Sequence, residues 1–256
     1  MRGILTYHSI DATGSPISCL LEAFDRHLAW LLSGKVRVTT VEELLTMAPS
    51  ENAIAITFDD AFTSFGDIAA PRLLARGLPV TVFVVAERVG TTNAWDGRVD
   101  PRIPQLPLLD WDALGRLASQ GVELGSHTRS HRDLTRVNRR VLQDEVGGSA
   151  EVIAAKTGVR PTSFAYPYGS VDTRACEIVA QTYRCGCTTE FQTLQGTINA
   201  ARLPRLDAYY FQQPGILEAW GTPAFERFVR RRHWLRRVRR VPETVCRRML
   251  REKRAL

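Results

Sequence analysis

The sequence predicts an α/β fold in which parallel strands alternate with helices, arranged either as a barrel or as a doubly wound sheet. Short apolar runs alternate with amphipathic stretches along most of the 256 residues, and this alternation is typical of parallel βαβ units. The length fits one large domain of this class. The apolar fraction of 44% and the charged fraction of 24% are those of an ordinary globular protein.

Seven short apolar runs, separated by helical patterns, are predicted to be strands. They cover residues 3–7, 36–39, 53–58, 80–85, 122–126, 163–166 and 185–189. The helical patterns cover residues 20–32, 41–47, 68–76, 111–120 and 134–157. Asp110 and Asp172 are predicted to cap helix starts, and glycines are predicted to end helices at positions 34, 77, 121 and 158. The segment 90–109 is rich in Pro, Gly and Asp without a period, which predicts a long surface loop.

The positive charge of the chain is concentrated near its C-terminal end. Residues 227–256 hold 13 Lys and Arg against 2 acidic residues, a net charge of +11, whereas the whole chain carries +7. The rest of the chain is therefore mildly acidic, at −4. We predict a domain over residues 1–221 and a basic tail over residues 222–256. Because the acidic domain offers no second binding surface for nucleic acid, the sequence predicts no nucleic-acid partner.

The basic tail has an amphipathic pattern in which apolar residues recur at spacings near three and four, with arginines between them: Phe225, Phe228, Leu235, Val238 and Val241. Pro242 ends this pattern, and Val245, Met249 and Leu250 predict a second short helix. Such a segment is typical of a peripheral contact with an anionic membrane surface. The alternatives are a solvated charged helix and a helix that packs on the domain through its apolar stripe.

The cysteines are all predicted to be reduced thiols, and most of them to fill small spaces in the core: Cys19, Cys176, Cys185, Cys187 and Cys246. Their number is odd, and their spacing is neither that of a disulfide framework nor that of a zinc ribbon. The opening "MRGILTYHSI" has too short an apolar run for a signal peptide. No run reaches the roughly 18 apolar residues of a membrane span. The sequence therefore predicts a cytoplasmic protein, with peripheral contact at the inner membrane face through the tail.

Polar motifs follow four of the predicted strands, at the end where a parallel barrel carries its functional residues. The motifs are "TYHSI" with His8, "TFDD" with Asp59 and Asp60, "GSHTRSH" with His127 and His131, and "AYPYG" with Tyr168. The opposite ends of the strands carry few residues of this kind. We therefore expect the functional site at the carboxyl ends of the strands.

Two histidines and one carboxylate form a frequent ligand set for a catalytic divalent cation. His127 and His131 are four residues apart, which places both imidazoles on one face if the turn is helical. Asp59 and Asp60 are adjacent like charges beside a predicted core, and this arrangement is unfavourable unless a positive group lies next to them. A metal bound by Asp60 and the histidines would be that group. The histidine pair alone is equally compatible with two polar residues at the start of a helix.

The motifs "TFDD", "HTRSH" and "FAYPYG", in this order, resemble the successive motifs of the polysaccharide deacetylases (carbohydrate esterase family 4, the NodB-homology domain). The resemblance covers about residues 3–205 and includes "LDWDALGRLASQGVELGSHT". It implies a distorted (β/α) barrel, a bound divalent metal and hydrolysis of N-acetyl groups on sugars. The implied metal is zinc, with cobalt, nickel or manganese as alternatives. The implied substrate is an amino-sugar glycan or a lipid-linked saccharide, with N-formyl as an alternative acyl group.

The resemblance also implies a role for each residue of these motifs. Asp60, His127 and His131 would bind the metal, and Asp59 would be the general base that takes a proton from water. The backbone N–H of Tyr168 would help to hold the oxyanion of the tetrahedral intermediate. Taken alone, the "PYG" tripeptide is more typical of a plain surface turn.

Two departures from the family pattern concern catalysis. Many members have an Arg two residues before the Pro of the third motif, where this sequence has Ala165, and Arg205 in "LPRLD" is a candidate replacement. Many members also have a late Leu-x-His motif whose histidine is the general acid, but no histidine lies between His131 and His233 here. His8 is the candidate acid, because "TYHSI" resembles the subgroup related to the poly-N-acetylglucosamine deacetylases. The alternative role for His8 is to cap the barrel rim.

A catalytically inactive deacetylase-like domain that binds glycan or membrane is the competing interpretation. The two departures favour it, whereas the retention of both Asp59 and Asp60 argues against it. Trp95 is interpreted as a loop anchor, with stacking on a sugar ring as the alternative. His27 lies on an amphipathic helix and is predicted to be exposed.

Overall fold

The computed structural model describes residues 1–95 and 101–239 of the chain. Its strands are β1 (Arg2–Tyr7), β2 (Ser9–Ile10), β3 (Ser18–Cys19), β4 (Arg37–Thr39), β5 (Ala53–Phe58), β6 (Thr81–Val84), β7 (Glu123–Ser126), β8 (Ser163–Ala165), β9 (Cys185–Cys187) and β10 (Leu206–Asp207). Its α-helices are α1 (Leu21–Leu31), α2 (Val41–Thr46), α3 (Ala70–Leu74), α4 (Trp111–Ser119), α5 (Arg139–Gln143), α6 (Ser149–Thr157), α7 (Thr173–Thr182) and α8 (Pro223–Arg239). The predicted second tail helix, with Pro242 and Cys246, lies outside the described residues.

The main sheet is parallel and curled, with strand order β10-β1-β5-β6-β7-β8-β9, and β4 also pairs with β5. Residues 203–207 connect β9, at one edge of this sheet, to β1 near the other edge. Leu203 forms a parallel bridge with Cys187 of β9, and Leu206 pairs with Leu5 of β1. The sheet is therefore a distorted (β/α) barrel, as the resemblance implied, and not a doubly wound sheet.

The interior of the barrel is filled largely by small side chains. Alternate strand residues point inward and form one buried cluster that includes Ile4, Ala53, Ala55, Phe83, Ala165, Cys185 and Cys187. Gly125 of β7 leaves room for the Phe83 ring, because a Cβ atom at this position would overlap it. Cys19, Cys185 and Cys187 are buried free thiols, which confirms their prediction as small core residues.

The helices cover the outer face of the sheet, where larger apolar side chains such as Phe24, Phe58 and Leu114 form the main core. The predicted helix caps are confirmed. The side chain of Asp110 accepts a hydrogen bond from the backbone N–H of Ala113, and Asp172 does the same for Ala175. The glycines predicted to end helices all have positive φ, between 63° and 98°.

Helix α8 packs on the barrel through its first turns. The Phe225 ring lies 5.7 Å from Phe211 and 5.1 Å from Trp220, centroid to centroid, and Val229 is buried one turn later. Farther along, Trp234 is 62% exposed and Val238 is 50% exposed. The apolar stripe predicted for the tail therefore contacts the barrel in its first half and is open in its second half. No helix in the described part of the chain combines the length and the apolar content needed to span a bilayer.

Two predictions about helices are wrong. Residues 134–157 do not form one helix, because the chain makes a 3₁₀ turn at Leu134–Arg136 and a new helix starts after Asn138, whose side chain accepts from the N–H of Val141. His27 is buried, with its ring nitrogens 2.9 Å from the Tyr7 hydroxyl and 2.9 Å from the Phe211 carbonyl oxygen. Burial lowers the pKa of His27. An imidazole with both nitrogens hydrogen-bonded fits a core, although an amphipathic pattern counts it as polar.

Candidate metal centre and active site

A cavity of about 680 Å³ opens at the carboxyl ends of the strands. Every site residue predicted from the sequence lines it: His8, Asp59, Asp60, His127, His131 and Tyr168. They come together because β1, β5, β7 and β8 run parallel in one barrel, so the residues that follow them meet at one rim.

Asp60, His127 and His131 face one another in the floor of this cavity. Oδ1 of Asp60 lies 3.5 Å from Nε2 of His127 and 3.4 Å from Nε2 of His131, and all three side chains are buried. Oδ1 of Asp60 has no hydrogen-bond partner among the described residues. A buried carboxylate oxygen without a donor, between two imidazoles, fits a divalent cation bound by oxygen and nitrogen.

The environment favours the ligand forms of both histidines. Nδ1 of His127 lies 2.7 Å from the carbonyl oxygen of Ala165. If this nitrogen donates, the lone pair of Nε2 is left toward Asp60, as is usual for metal-binding histidines. Burial, followed by the nearby His127, lowers the pKa of His131 well below its ordinary value. A neutral imidazole is the form that binds metal.

The neighbouring carboxylate, Asp59, has a cationic partner within the chain. Arg205 donates two parallel hydrogen bonds of 2.7 Å to the two oxygens of Asp59. Burial raises the pKa of Asp59, but the Arg205 charge and its hydrogen bonds, helped by His127, outweigh burial and hold the pKa well below the usual range. By contrast, burial raises the pKa of Asp60. The two adjacent acids thus have different environments, one paired with arginine and one open to a cation.

Arg205 stands where the sequence interpretation placed a replacement for the arginine missing at Ala165. Its side chain is fully buried and also donates to the Thr188 carbonyl oxygen at 2.9 Å and to the Thr6 hydroxyl at 3.1 Å. It reaches Asp59 from the segment 203–207 that closes the barrel, whereas position 165 belongs to β8. An arginine thus contacts the candidate base from a different part of the barrel than position 165.

Left-handed backbone conformations concentrate in the three motifs. Within the described ranges, the non-glycine residues with positive φ are Asp60, Ala61, Thr128, His131 and Tyr168. Such conformations cost of order 1–3 kcal/mol each and persist where the surroundings enforce them. Their clustering around one cavity indicates a functional site.

The turn between the two histidines is held by Glu145, a residue that the sequence interpretation missed. One oxygen of this buried carboxylate accepts from the N–H groups of Arg129 and Ser130, at 3.0 and 2.9 Å, and the other accepts from the Ser130 hydroxyl. Glu145 lies in the π-helical turn Asp144–Gly148. The sequence signal that could have indicated Glu145 is a single acidic residue on the otherwise apolar face of a helical pattern.

Exchange of Glu145 for glutamine is expected to weaken metal binding by about 10–100-fold, because the charged carboxylate that accepts from the turn carrying His131 becomes a neutral amide with one acceptor oxygen instead of two. The metal dissociation constant, measured by competition with a chromophoric chelator, checks this. The matched control is Glu151→Gln, which changes an exposed acid that pairs with Arg160 outside this turn. A purely structural Glu145 would lower the urea midpoint of the variant and leave the metal affinity of its folded form unchanged.

The remaining predicted residues lie around the triad. Nε2 of His8 is 3.8 Å from Oδ2 of Asp59. Tyr168 lies in the 3₁₀ turn Pro167–Gly169 with φ 59°. Gly169 is required there, since it has φ 67° and a Cβ atom would overlap Thr189. Trp95 stacks on His131 with ring centroids 4.2 Å apart and planes 21° apart, which supports its interpretation as an anchor at the cavity wall.

Comparison with known proteins agrees with these motifs. A sequence model described as polysaccharide deacetylase matches residues 46–184, which include the triad, Asp59 and Tyr168 but not His8 or Arg205. YxkH, a candidate polysaccharide deacetylase of Bacillus subtilis, is 26% identical over 193 residues, or 73% of this chain and 64% of YxkH. Chitin deacetylase 1 of Cryptococcus neoformans is 28% identical over 152 residues, or 59% of this chain and 28% of that protein. The chain thus spans less than two thirds of the length of both.

Two solved structures share the fold. IcaB from Ammonifex degensii has a TM-score of 0.71 and 21% identity, covering 88% of this chain and 97% of IcaB. The deacetylase PplD of Streptococcus pyogenes, in complex with acetate, has a TM-score of 0.67 and 20% identity, covering 80% of this chain and 91% of PplD.

Proposed function

This chain belongs to the polysaccharide deacetylase family, and we propose that it is a metal-dependent hydrolase that removes N-acetyl groups, with N-formyl groups as the alternative, from an amino sugar. The substrate is a glycan or a lipid-linked saccharide. The observation that carries the proposal is the buried Asp60–His127–His131 triad beside an ion-paired Asp59 in one cavity.

Asp60, His127 and His131 would hold the metal, with zinc favoured by the two imidazoles and one carboxylate, and cobalt, nickel or manganese as alternatives. A divalent cation in this place would supply positive charge for the developing oxyanion and make a water molecule more acidic. Because all three residues line the cavity, the proposed position of the amide is in the cavity beside them.

Asp59 is the proposed general base. Arg205 keeps its carboxyl ionised and fixes the plane of the carboxylate through two hydrogen bonds, so that a remaining lone pair can accept the proton of a water molecule. Proton transfer of this kind contributes roughly 10²–10⁴-fold to the rate. His8, whose Nε2 lies 3.8 Å from Oδ2 of Asp59, is the proposed acid that donates a proton to the departing amine. The backbone N–H of Tyr168 is the proposed donor to the amide oxygen.

The test is release of acetate from N-acetylated glucosamine oligosaccharides by the purified chain, with the metal content measured in the same samples. We expect activity that is lost after treatment with a chelator and restored by added zinc. Full activity in metal-free protein would contradict the metal requirement. Metal-loaded protein that binds the oligosaccharide without releasing acetate would favour the inactive domain.

The competing inactive domain now has less support. It rested on the arginine missing at position 165 and on the missing late histidine. Because Arg205 contacts Asp59 through two hydrogen bonds, the first of these absences no longer favours it. The second depends on what His8 does.

Exchange of His8 for alanine is expected to lower kcat more than it changes KM and to flatten the alkaline limb of the pH–rate profile, because an acid must be protonated to act. The ester 4-nitrophenyl acetate is the control substrate. Its leaving group departs without a proton, so the variant and the wild type should hydrolyse it at similar rates. An unchanged profile on the amide would return His8 to a structural role at the rim.

We also propose a cytoplasmic location with peripheral contact at the inner membrane face. Its support is the open half of α8, where Trp234 and Val238 are exposed among arginines. Exchange of both for serine is expected to reduce co-sedimentation with anionic liposomes, and added salt should reduce it for the wild type. Neutral liposomes are the control. Equal partitioning of variant and wild type would exclude a membrane contact through this face.

A further inference from the structure

A second cavity, of about 290 Å³, lies next to the first and is rich in basic side chains. We call it the basic cavity. Arg202, His233, Arg236 and Arg237 line it, together with Gly169, Val171 and residues 188–191. Thr189 lines both cavities, and its hydroxyl donates to the carbonyl oxygen of Tyr168 at 3.3 Å. Tyr168 and Thr189 therefore form a shared boundary between the active-site cavity and the basic cavity.

The charges of this cavity are poorly balanced by the protein. Among the described residues, the side chains of Arg202 and Arg237 have no carboxylate within 4.0 Å. Arg236 lies 3.7 Å from Asp207, and its guanidinium group packs over Tyr210 at 5.5 Å, which fixes its position. Glu190 is the carboxylate that lines the cavity. Three guanidinium groups thus face two carboxylates, Glu190 and Asp207, and this excess of positive charge attracts an anion.

The basic residues come from two separate parts of the chain that the fold brings together. Arg202 directly precedes the segment that closes the barrel, and the others lie on α8, whose apolar contacts are made one to three turns earlier. The later turns are held by Arg236, which contacts Asp207 and the rings of Tyr210 and Phe191. His233 is also held there, with its Nε2 3.3 Å from Nε2 of Gln192. An anion between Arg202 and α8 would offset the repulsion between these cations.

We propose that the basic cavity binds a phosphate group carried by the amino-sugar substrate. Guanidinium groups match the geometry of phosphate through paired hydrogen bonds, and several of them favour a dianion over a single carboxylate. The adjacency to the metal centre assigns this phosphate to the substrate whose amide is cleaved, so this inference rests on the proposed function. The substrate class is a phosphorylated N-acyl amino sugar, either a soluble glycosyl phosphate or its lipid-linked form.

The first test measures binding directly. The full chain is titrated with inorganic pyrophosphate by calorimetry, and the double variant Arg202→Gln/Arg237→Gln is expected to bind at least 10-fold more weakly. The control is Arg227→Gln/Arg231→Gln, which removes the same charge from exposed positions outside the cavity and should change affinity less than twofold. Equal weakening in both double variants, or absence of binding to the wild type, would overturn the proposal. If pyrophosphate bound at the metal centre instead, neither double variant would change its affinity, and that result would also overturn the proposal.

The second test links the cavity to catalysis. The same N-acetylated sugar is supplied with and without a phosphate, in soluble and in lipid-linked form, and kcat/KM is compared. We expect a preference of at least 10-fold for a phosphorylated form, lost in Arg202→Gln/Arg237→Gln, while the rate on the neutral sugar stays unchanged. Equal rates on both sugars would overturn the phosphate site and leave the proposed function standing. Absence of deacetylation on every sugar would count against the proposed function, and the binding experiment would then decide the site alone.

Discussion

Exchange of Asp59 for asparagine is expected to lower kcat by about 10²–10⁴-fold while the protein keeps its metal, since the general base is lost and the ligand set is not. Exchange of the adjacent Asp60 for alanine is expected to remove the metal and, with it, the activity. His127→Ala and His131→Ala should behave like the Asp60 variant. Metal content by elemental analysis and kcat on the same preparations separate the two effects. Two carboxylates next to each other in the sequence would then have different tasks.

The Asp59 variant needs a stability control, because asparagine leaves the buried guanidinium of Arg205 without its counter-charge. Urea unfolding of each variant shows whether the loss of turnover is measured on folded protein. A near-normal kcat in Asp59→Asn would show that this residue is not the base. Full metal occupancy in any two of the three ligand variants would refute the assignment of the metal centre.

Exchange of Arg205 for methionine is expected to lower the free energy of unfolding by about 3–5 kcal/mol, because it leaves the buried Asp59 carboxylate unpaired. The same change should lower kcat, since the carboxylate loses the two hydrogen bonds that orient it. Chemical denaturation measures the first effect. Arg202→Met, three residues earlier and exposed, is the matched control and should be nearly neutral for stability.

The double variant Arg205→Met/Asp59→Asn distinguishes loss of an ion pair from loss of packing. Since neither buried charge remains, we expect it to recover part of the stability lost in Arg205→Met, as breaking a buried pair costs more than replacing it. Additive losses in the double variant would mean that Arg205 stabilises the barrel through its contacts with Thr6 and Thr188 and not through Asp59.

The sequence allowed the strands and the cluster of candidate metal ligands to be predicted because both depend on local signals. An apolar run that ends in "FDD" places Asp59 and Asp60 at a strand end whatever the rest of the fold does, and capping by Asp110 is decided within four residues. The three motifs then meet because parallel strands share one rim.

The contacts that tie these motifs to the rest of the chain were harder to predict. Glu145 looks like any acid in a helical pattern until the π-helical turn brings it under the histidine turn. His27 reads as polar because periodicity cannot show that Tyr7 and the Phe211 carbonyl satisfy its ring. Contacts of this kind depend on tertiary structure and produce no local sequence pattern that would predict them.

Closure of the barrel and pairing of the candidate base with its cation depend on the same short segment. Leu206 pairs with Leu5, about 200 residues earlier in the chain. Arg205, which pairs with Asp59, is the residue immediately before Leu206. A folding intermediate in which strands from β1 to β9 are formed but residues 203–207 are not yet docked would hold Asp59 beside Asp60 without its cation. Such an intermediate would have every candidate metal ligand and would lack an oriented candidate base, so we expect metal binding to precede catalytic competence along the folding pathway. Because pairings this distant form slowly, appearance of activity during refolding should lag behind metal uptake, and this delay would report the docking of one short segment.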